Sequence, residues 1–369
     1  MNILFLSNVK GIPSAGPTYS VPNRILAQQK YDNVFWYNTC AVLNDDWIGQ
    51  ANYHDLREYP SRQIRDLPAP FNRPDVIVVE QFYNHSKDPY LKEVMASGIP
   101  YIIVPRSELT KQGQARHRWK KIAANALRFK KFARKAAAIQ YLTQQEKTDS
   151  GDGWNKNGIV IPNGIRMPEP FSKSPSDTLR CVSIGRLEPY QKGLDLLLAA
   201  CVMEKDALVE NKVRIDLYGT NKEGKGEELA RQISEAGLEG VMSVHPGVFG
   251  EEKKQVLRNS DVFIMTSRFE GHPMALIEAL SYGLPAVATT GSNMREEIEK
   301  ARAGWGCDID ARSIARALLE MTADGGRSEK AENARRLAGS YDWDAIARQT
   351  SDALRTIAGS CAGPASRGK

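Results

Sequence analysis

Asp261-Val262-Phe263-Ile264-Met265-Thr266-Ser267-Arg268-Phe269-Glu270-Gly271-His272-Pro273-Met274-Ala275-Leu276-Ile277-Glu278-Ala279-Leu280 reads as a strand, a short loop and a helix in succession. Val262 to Met265 are apolar at consecutive positions, the pattern of a strand covered on both faces, as in a parallel sheet. Gly271 permits an unusual turn or a close backbone approach. Pro273 suits the first position of a helix, where no N–H bond is lost. A helix start exposes backbone N–H groups and a partial positive charge, so it can hold a phosphate. Glu278 follows about 7.5 Å further along the axis at 1.5 Å per residue. A loop carboxylate and a helix carboxylate can then grip hydroxyl groups on either side of one diphosphate. On spacing alone, Glu270 is equally well a helix cap and Glu278 a solvated helix residue.

The same alternation runs outward in both directions. The first half offers strands at Asn2–Ser7, Asn33–Tyr37, Asp75–Glu80, Tyr101–Pro105, Ala138–Thr143 and Gly158–Pro162. The second half offers Arg180–Gly185, Val213–Gly219, Val241–His245, Asp261–Ser267, Ala286–Thr290 and Gly304–Asp308. Helical segments between them imply βαβ units, whose ligands bind at the carboxyl ends of the strands. The pattern pauses at Arg166–Thr178, with Pro168, Pro170, Pro175 and several serines, which reads as a linker. The expectation is an α/β protein of two doubly wound domains with parallel sheets facing across a cleft. The first would span 1–168 and the second 175–344. A C-terminal helix around 345–358 would pack back on the first domain, and Gly359–Lys369 would be disordered.

Composition narrows the class. None of the apolar runs in the 369 residues nears the roughly 18 needed to cross a bilayer. Met1-Asn2-Ile3-Leu4-Phe5-Leu6-Ser7 lacks a charged leader and reads as a strand rather than a signal peptide. Five cysteines without a CxxC pair argue against a disulfide framework or a zinc site and fit a reducing cytosol. The five histidines show no metal-ligand spacing. The net charge of +6 is uneven: residues 1–165 hold 22 Lys and Arg against 14 Asp and Glu, and the rest hold 28 against 30. Leu109–Ala138 alone carries ten Lys and Arg and no acid. There Ile122, Ala126, Phe129 and Ala133 share one helical face, with Trp119 near the start. Such a basic amphipathic helix either packs its stripe on a sheet or rests on anionic lipid, or does both. No nucleic-acid module accompanies the charge, so nucleic acid is not an expected partner.

A second stretch, Gly185-Arg186-Leu187-Glu188-Pro189-Tyr190-Gln191-Lys192-Gly193, follows the strand Cys181–Ile184. Arg offers a planar fork for phosphate oxygens and Lys a point charge. A pair of surface cations is the plainer reading. With both stretches in view, the chain resembles retaining GT-B glycosyltransferases of family 4, the group 1 glycosyl transferases. Glu270 and Glu278, with seven residues between them, match that family's E-x7-E motif. Ile161-Pro162-Asn163-Gly164-Ile165, Leu217-Tyr218-Gly219, His245-Pro246-Gly247-Val248-Phe249 and Tyr341-Asp342-Trp343 resemble its other landmarks.

The resemblance covers nearly the whole second half and is patchier before residue 100. It implies that Glu270 contacts the donor sugar and Glu278 the ribose hydroxyls. Gly271, His272, Pro273 and Met274 would approach sugar and phosphates through their backbone. Arg186 and Lys192, beside Gly185, would neutralise the diphosphate. Gly219 and Val248 would face the nucleotide. A nucleotide-sugar (UDP- or GDP-linked) is then the donor, and a glycan or lipid-linked oligosaccharide the acceptor. No cofactor or metal is expected, and the place of work would be cytoplasmic, peripheral on the inner face of the cell membrane, with the basic segment 111–135 against anionic lipid.

The first half departs from the family. Val104-Pro105-Arg106-Ser107 stands where a Pro-His-Gly is common. Arg106 cannot act as a base. It either donates hydrogen bonds to sugar, phosphate or acceptor, or serves as a structural ion-pair partner. Gly16 alone remains of a glycine pair near the acceptor, and Asn163 completes that side. The missing histidine motivates an alternative, an inactive GT-B accessory protein that binds nucleotide-sugar or glycan. A peripheral lipid-binding scaffold is a further one. Asp308-Ile309-Asp310 spells the DxD of metal-dependent enzymes, but three-residue matches are frequent and it lies beyond the donor motifs.

Overall fold

The computed structural model describes all residues except 13–15, 43–46, 48–51, 86–89, 116–117, 174–175, 222–223 and 362–369. Part of the loop before Gly16, Ser174 and Pro175 of the linker, Arg116 and His117 of the basic segment, and 362–369 of the expected disordered tail therefore lie outside the described residues.

The chain forms two compact units, Met1–Gly164 together with the terminal segment from Trp343, and Ile165–Asp342. The first holds β1 (Asn2–Ser7), β2 (Asn33–Asn38), β3 (Tyr53–Asp55), β4 (Val76–Glu80), β5 (Tyr101–Val104), β6 (Ala138–Tyr141) and β7 (Gly158–Val160). The second holds β8 (Leu179–Arg186), β9 (Val213–Thr220), β10 (Met242–Pro246), β11 (Val262–Met265), β12 (Ala286–Thr289) and β13 (Gly304–Cys307). Strand order is β3-β2-β1-β4-β5-β6-β7 in one sheet and β10-β9-β8-β11-β12-β13 in the other. Every pairing is parallel. Both sheets are doubly wound, with order reversing between β1 and β4 and between β8 and β11. This is the GT-B architecture.

The apolar runs are covered on both faces. In β1, Ile3 and Phe5 pack with Val21, Ile25 and Leu354, while Leu4 and Leu6 pack with Phe129 and Phe132. Leu354 belongs to the helix Trp343–Cys361, which lies on the helix Pro17–Gln28 of the same unit. Gly359, Ser360 and Cys361 close that helix instead of opening a disordered tail. The first unit ends at Gly164 and not at 168, because Ile165 is buried in the second unit's core beside Tyr341.

The basic segment is not one continuous helix. Arg118–Ala124 is α-helical, Asn125–Phe129 forms a wider π turn, and Lys130–Lys135 is α-helical again. An extra residue in one turn swings the following side chains round the axis. Phe129, Phe132 and Ala133 are therefore buried, whereas Trp119, Ile122, Ala126 and Leu127 are exposed. The expected stripe of Ile122, Ala126, Phe129 and Ala133 is split at its middle.

Candidate donor site

The loops after β8 and β11 leave the carboxyl ends of adjacent strands, at the point where the second sheet's order reverses. Open α/β sheets bind ligands at such a switch point. Three tight backbone approaches draw the loops together. Gly219 lies beside Gly185 in register, and a Cβ on it would sit 2.1 Å from the Gly185 carbonyl oxygen. Gly193 has φ +63° and touches β11's end so closely that a Cβ would sit 2.0 Å from the Thr266 carbonyl oxygen. A Cβ on Gly291 would meet the Ser267 carbonyl oxygen at 2.2 Å.

Hydrogen bonds fix what these contacts allow. Thr266 Oγ1 donates to the carbonyls of Lys192 and Gly193, at 3.1 and 3.0 Å. The Arg268 N–H donates to the Gln191 carbonyl at 2.9 Å. Across the loops so joined, Lys192 Nζ donates to Glu270 Oε1 at 2.6 Å, and Ser267 Oγ donates to the same oxygen at 2.6 Å. The pair is largely buried, with side chains 17% and 11% exposed. Lys192 lies over Gly185, its Cε 3.3 Å from where a Cβ would stand. Arg186 is exposed at the end of β8, with one guanidinium nitrogen donating to Gln191 Oε1 at 2.7 Å. Both cations line one small cavity with Gly185, Tyr218, Thr266 and Ser267, and Glu270 stands behind it, bonded to Lys192 and Ser267.

The helix expected after Pro273 begins at Met274, with Pro273 as its cap rather than its first residue. Glu278 accepts from Lys253 Nζ at 2.7 Å. Asn293, at φ +61°, donates to the Glu270 carbonyl and, at 3.4 Å, to that of Gly271, clamping the loop between the carboxylates. His272 is half-buried with its ring 5.9 Å from that of Tyr341. Val248 is buried after β10, where Gly247 rests against the Thr220 backbone. Next to it the Tyr218 and His245 rings stack at 4.6 Å, and His245 Nε2 lies 2.8 Å from Asp216 Oδ1.

Of the second unit's expected residues, Arg186, Lys192, Glu270 and Gly185 meet, with Gly219 behind them. Thr266, Ser267, Gly291, Asn293 and Lys253 join the site without having been singled out. Only Ser267 and Thr266 stood beside a recognisable motif. Asp310 caps the helix Ala311–Ala323 by accepting from Ser313, and Asp308 pairs with Arg295 at 2.6 Å. Among the described residues no three His, Cys, Asp or Glu cluster as metal ligands.

In the first unit, Arg106 and Ser107 both have positive φ, +52° and +68°. Arg106 Nε donates to Glu80 Oε2 at 2.9 Å, with a second nitrogen 2.8 Å from the same oxygen. Its remaining nitrogen donates to Ser20 Oγ at 2.9 Å and Asn163 Oδ1 at 3.4 Å. Glu80 is fully buried and also takes Arg24 at 2.9 Å. Arg106 is thus held in an ion pair with Glu80 inside the first unit. Arg106 and Asn163 do come together. Gly16 caps the helix Pro17–Gln28 and joins the same cluster through Ser20, whose Oγ accepts from Arg106 and donates to the Gly16 carbonyl at 3.1 Å. Burial pushes the neighbouring Glu146 carboxyl above its ordinary value, against bonds from the Leu142 and Ser107 N–H groups.

Residues 169–338, nearly all of the second unit, match the family described as "Glycosyl transferases group 1". A Salmonella typhimurium protein named as a colanic acid biosynthesis glycosyltransferase is 30% identical over 195 residues, 50% of this chain and 47% of that protein. The amylovoran biosynthesis glycosyltransferase of Erwinia amylovora is 31% identical over 42% of this chain and 40% of that protein. The chain thus matches less than half the length of these relatives. Among solved structures, Anabaena HepE in complex with UDP-glucose superposes with a TM-score of 0.72 at 18% identity, over 96% of this chain and 100% of that one.

Proposed function

We propose that the chain is a retaining glycosyltransferase that moves a sugar from a UDP- or GDP-sugar to a hydroxyl of a glycan acceptor. The observation that carries this reading is the Lys192–Glu270 contact at the switch point, with Arg186 beside it. The relatives named for colanic acid and amylovoran biosynthesis support a role in polysaccharide synthesis, for which the acceptor of this reading is lipid-linked. The HepE complex with UDP-glucose supports the donor class.

When donor binds, the diphosphate lies against Arg186 and Lys192. Both cations oppose the charge that grows as the bond from the anomeric carbon to the phosphate oxygen breaks. Lys192 then shares its bonds between Glu270 and phosphate, and Glu270 turns an oxygen to the sugar hydroxyls. The acceptor hydroxyl attacks from the side the diphosphate leaves, and its proton passes to the departing phosphate oxygen. The protein contributes position and fixed charge. Lys192 and Arg186 supply the neutralisation that a divalent ion gives in other transferases, so the reaction needs no metal.

The basic segment 111–135 would hold the protein against anionic lipid at the inner face of the cell membrane. No helix of the described residues is long and apolar enough to cross a membrane.

Calorimetric titration with UDP and GDP in EDTA tests the donor site. One nucleotide binds, and Lys192→Ala weakens it while the variant stays folded and loses turnover by orders of magnitude. A folded wild-type chain that binds neither would remove the reading. Binding without turnover of any donor would instead favour the inactive accessory protein, for which the internally paired Arg106 speaks.

A further inference from the structure

The helix Gly250–Asn259 follows directly on the loop that carries Val248 and Phe249, and its fourth residue is Lys253. Lys253 Nζ lies 2.7 Å from Glu278 Oε2, with both side chains a little over a quarter exposed. Among the described residues no other side chain bonds to this carboxylate. One oxygen of Glu278 is therefore occupied, and the other is left to accept.

A partly exposed glutamate samples several rotamers, and ordering it on binding costs free energy. A charged partner on a second helix removes that freedom beforehand. It also places the remaining oxygen at a fixed height above the start of the helix Met274–Ser281. The pair joins two elements with different tasks, since Lys253 follows the loop after β10 and Glu278 follows the loop after β11. We propose that Lys253 is a positioning residue that presents Glu278 to the vicinal hydroxyls of the donor's ribose. This rests on the donor-site reading above.

The test compares UDP and GDP with their 2′,3′-dideoxy forms by calorimetry, on wild type, Lys253→Met and Lys253→Arg. Methionine keeps the length and apolar stem and removes the charge. A charged hydrogen bond contributes enough that its loss lowers affinity about tenfold. The wild type should prefer the ribose form. Lys253→Met should lose about tenfold for the ribose form and little for the dideoxy form, and Lys253→Arg should restore most of the difference. Equal losses for both forms would mark a structural contact and overturn the proposal. Unchanged or tighter binding of the ribose form by Lys253→Met would overturn it too, since Lys253 would then be idle or a competitor. Failure of the wild type to bind any of the four ligands would instead sink the donor site itself, and this inference with it.

Discussion

Gly193 sits where the chain must turn with positive φ while its α-carbon presses on the Thr266 carbonyl. A methyl group there meets two objections at once. The left-handed backbone costs an L-residue about 1 kcal/mol, and the overlap forces the two donor loops apart. Gly193→Ala should destabilise the second unit by about 2–3 kcal/mol and weaken nucleotide binding. Gly325→Ala, with open space at the Cβ position, should change stability by under about 0.5 kcal/mol. Denaturant melts with and without UDP or GDP check both, and an intact Gly193→Ala site would refute the clamp. Residues of this kind were legible in the sequence, because Gly185 closes a strong strand and Lys192, Gly193 and Glu270 follow such strands. Lys253 was not, since it is one lysine in the charged run Glu251-Glu252-Lys253-Lys254 and only folding sets it against Glu278. Arg106 was half legible. Its departure from the family pattern was plain, but its partners Glu80 and Ser20 come from elements far along the chain.

The π turn at Asn125–Phe129 decides what the basic segment can do. Downstream of it Phe132 and Ala133 anchor in the core, and upstream Trp119 and Ile122 are left outside, with Leu127 exposed within the turn itself. Trp119 is 79% and Leu127 85% exposed, amid cations with no acid between them. Large apolar side chains ringed by Lys and Arg suit an anionic lipid surface. Vesicles containing phosphatidylglycerol should therefore sediment the protein, less so at high salt, and pure phosphatidylcholine should not. Trp119→Ser with Leu127→Ser should reduce that binding by about tenfold or more, with nucleotide affinity kept. If the double variant binds anionic vesicles as wild type does, the segment is not the contact. Periodicity gave the helix and its charge but not the turn, because one wide turn leaves no mark on a window of side-chain types. β3 escaped for a related reason. Tyr53-His54-Asp55 is a short, polar edge strand that contains no apolar run to detect.

At the scale of the molecule, the two units repeat one strand order, which the alternation of apolar runs and helices was sufficient to suggest. The boundary was less clear, since Ile165 looks like linker until it is seen buried with Tyr341. The first unit is completed by a distant segment, and Asp32 is the polar hinge of that contact. Burial raises its carboxyl, but bonds from Ser351 and Gln28, among others, outweigh burial and hold it below its ordinary value. Its contribution is thus whole above the unfolded value of about 4 and is lost as pH falls through the lowered native value. Asp32→Asn should cost the first unit about 2–4 kcal/mol at pH 7. The gap to wild type should narrow below about pH 4. Thermal melts across pH 3–7 would show it, and a constant gap would argue that the charge is immaterial. The route of the chain has a consequence for its birth on the ribosome. Residues 165–342 emerge whole and can close their own core at once, while Val21 and Ile25 wait for Leu354. The unit that starts first finishes last, and until then a helix-sized strip of its surface stays open to chaperones or to other nascent chains.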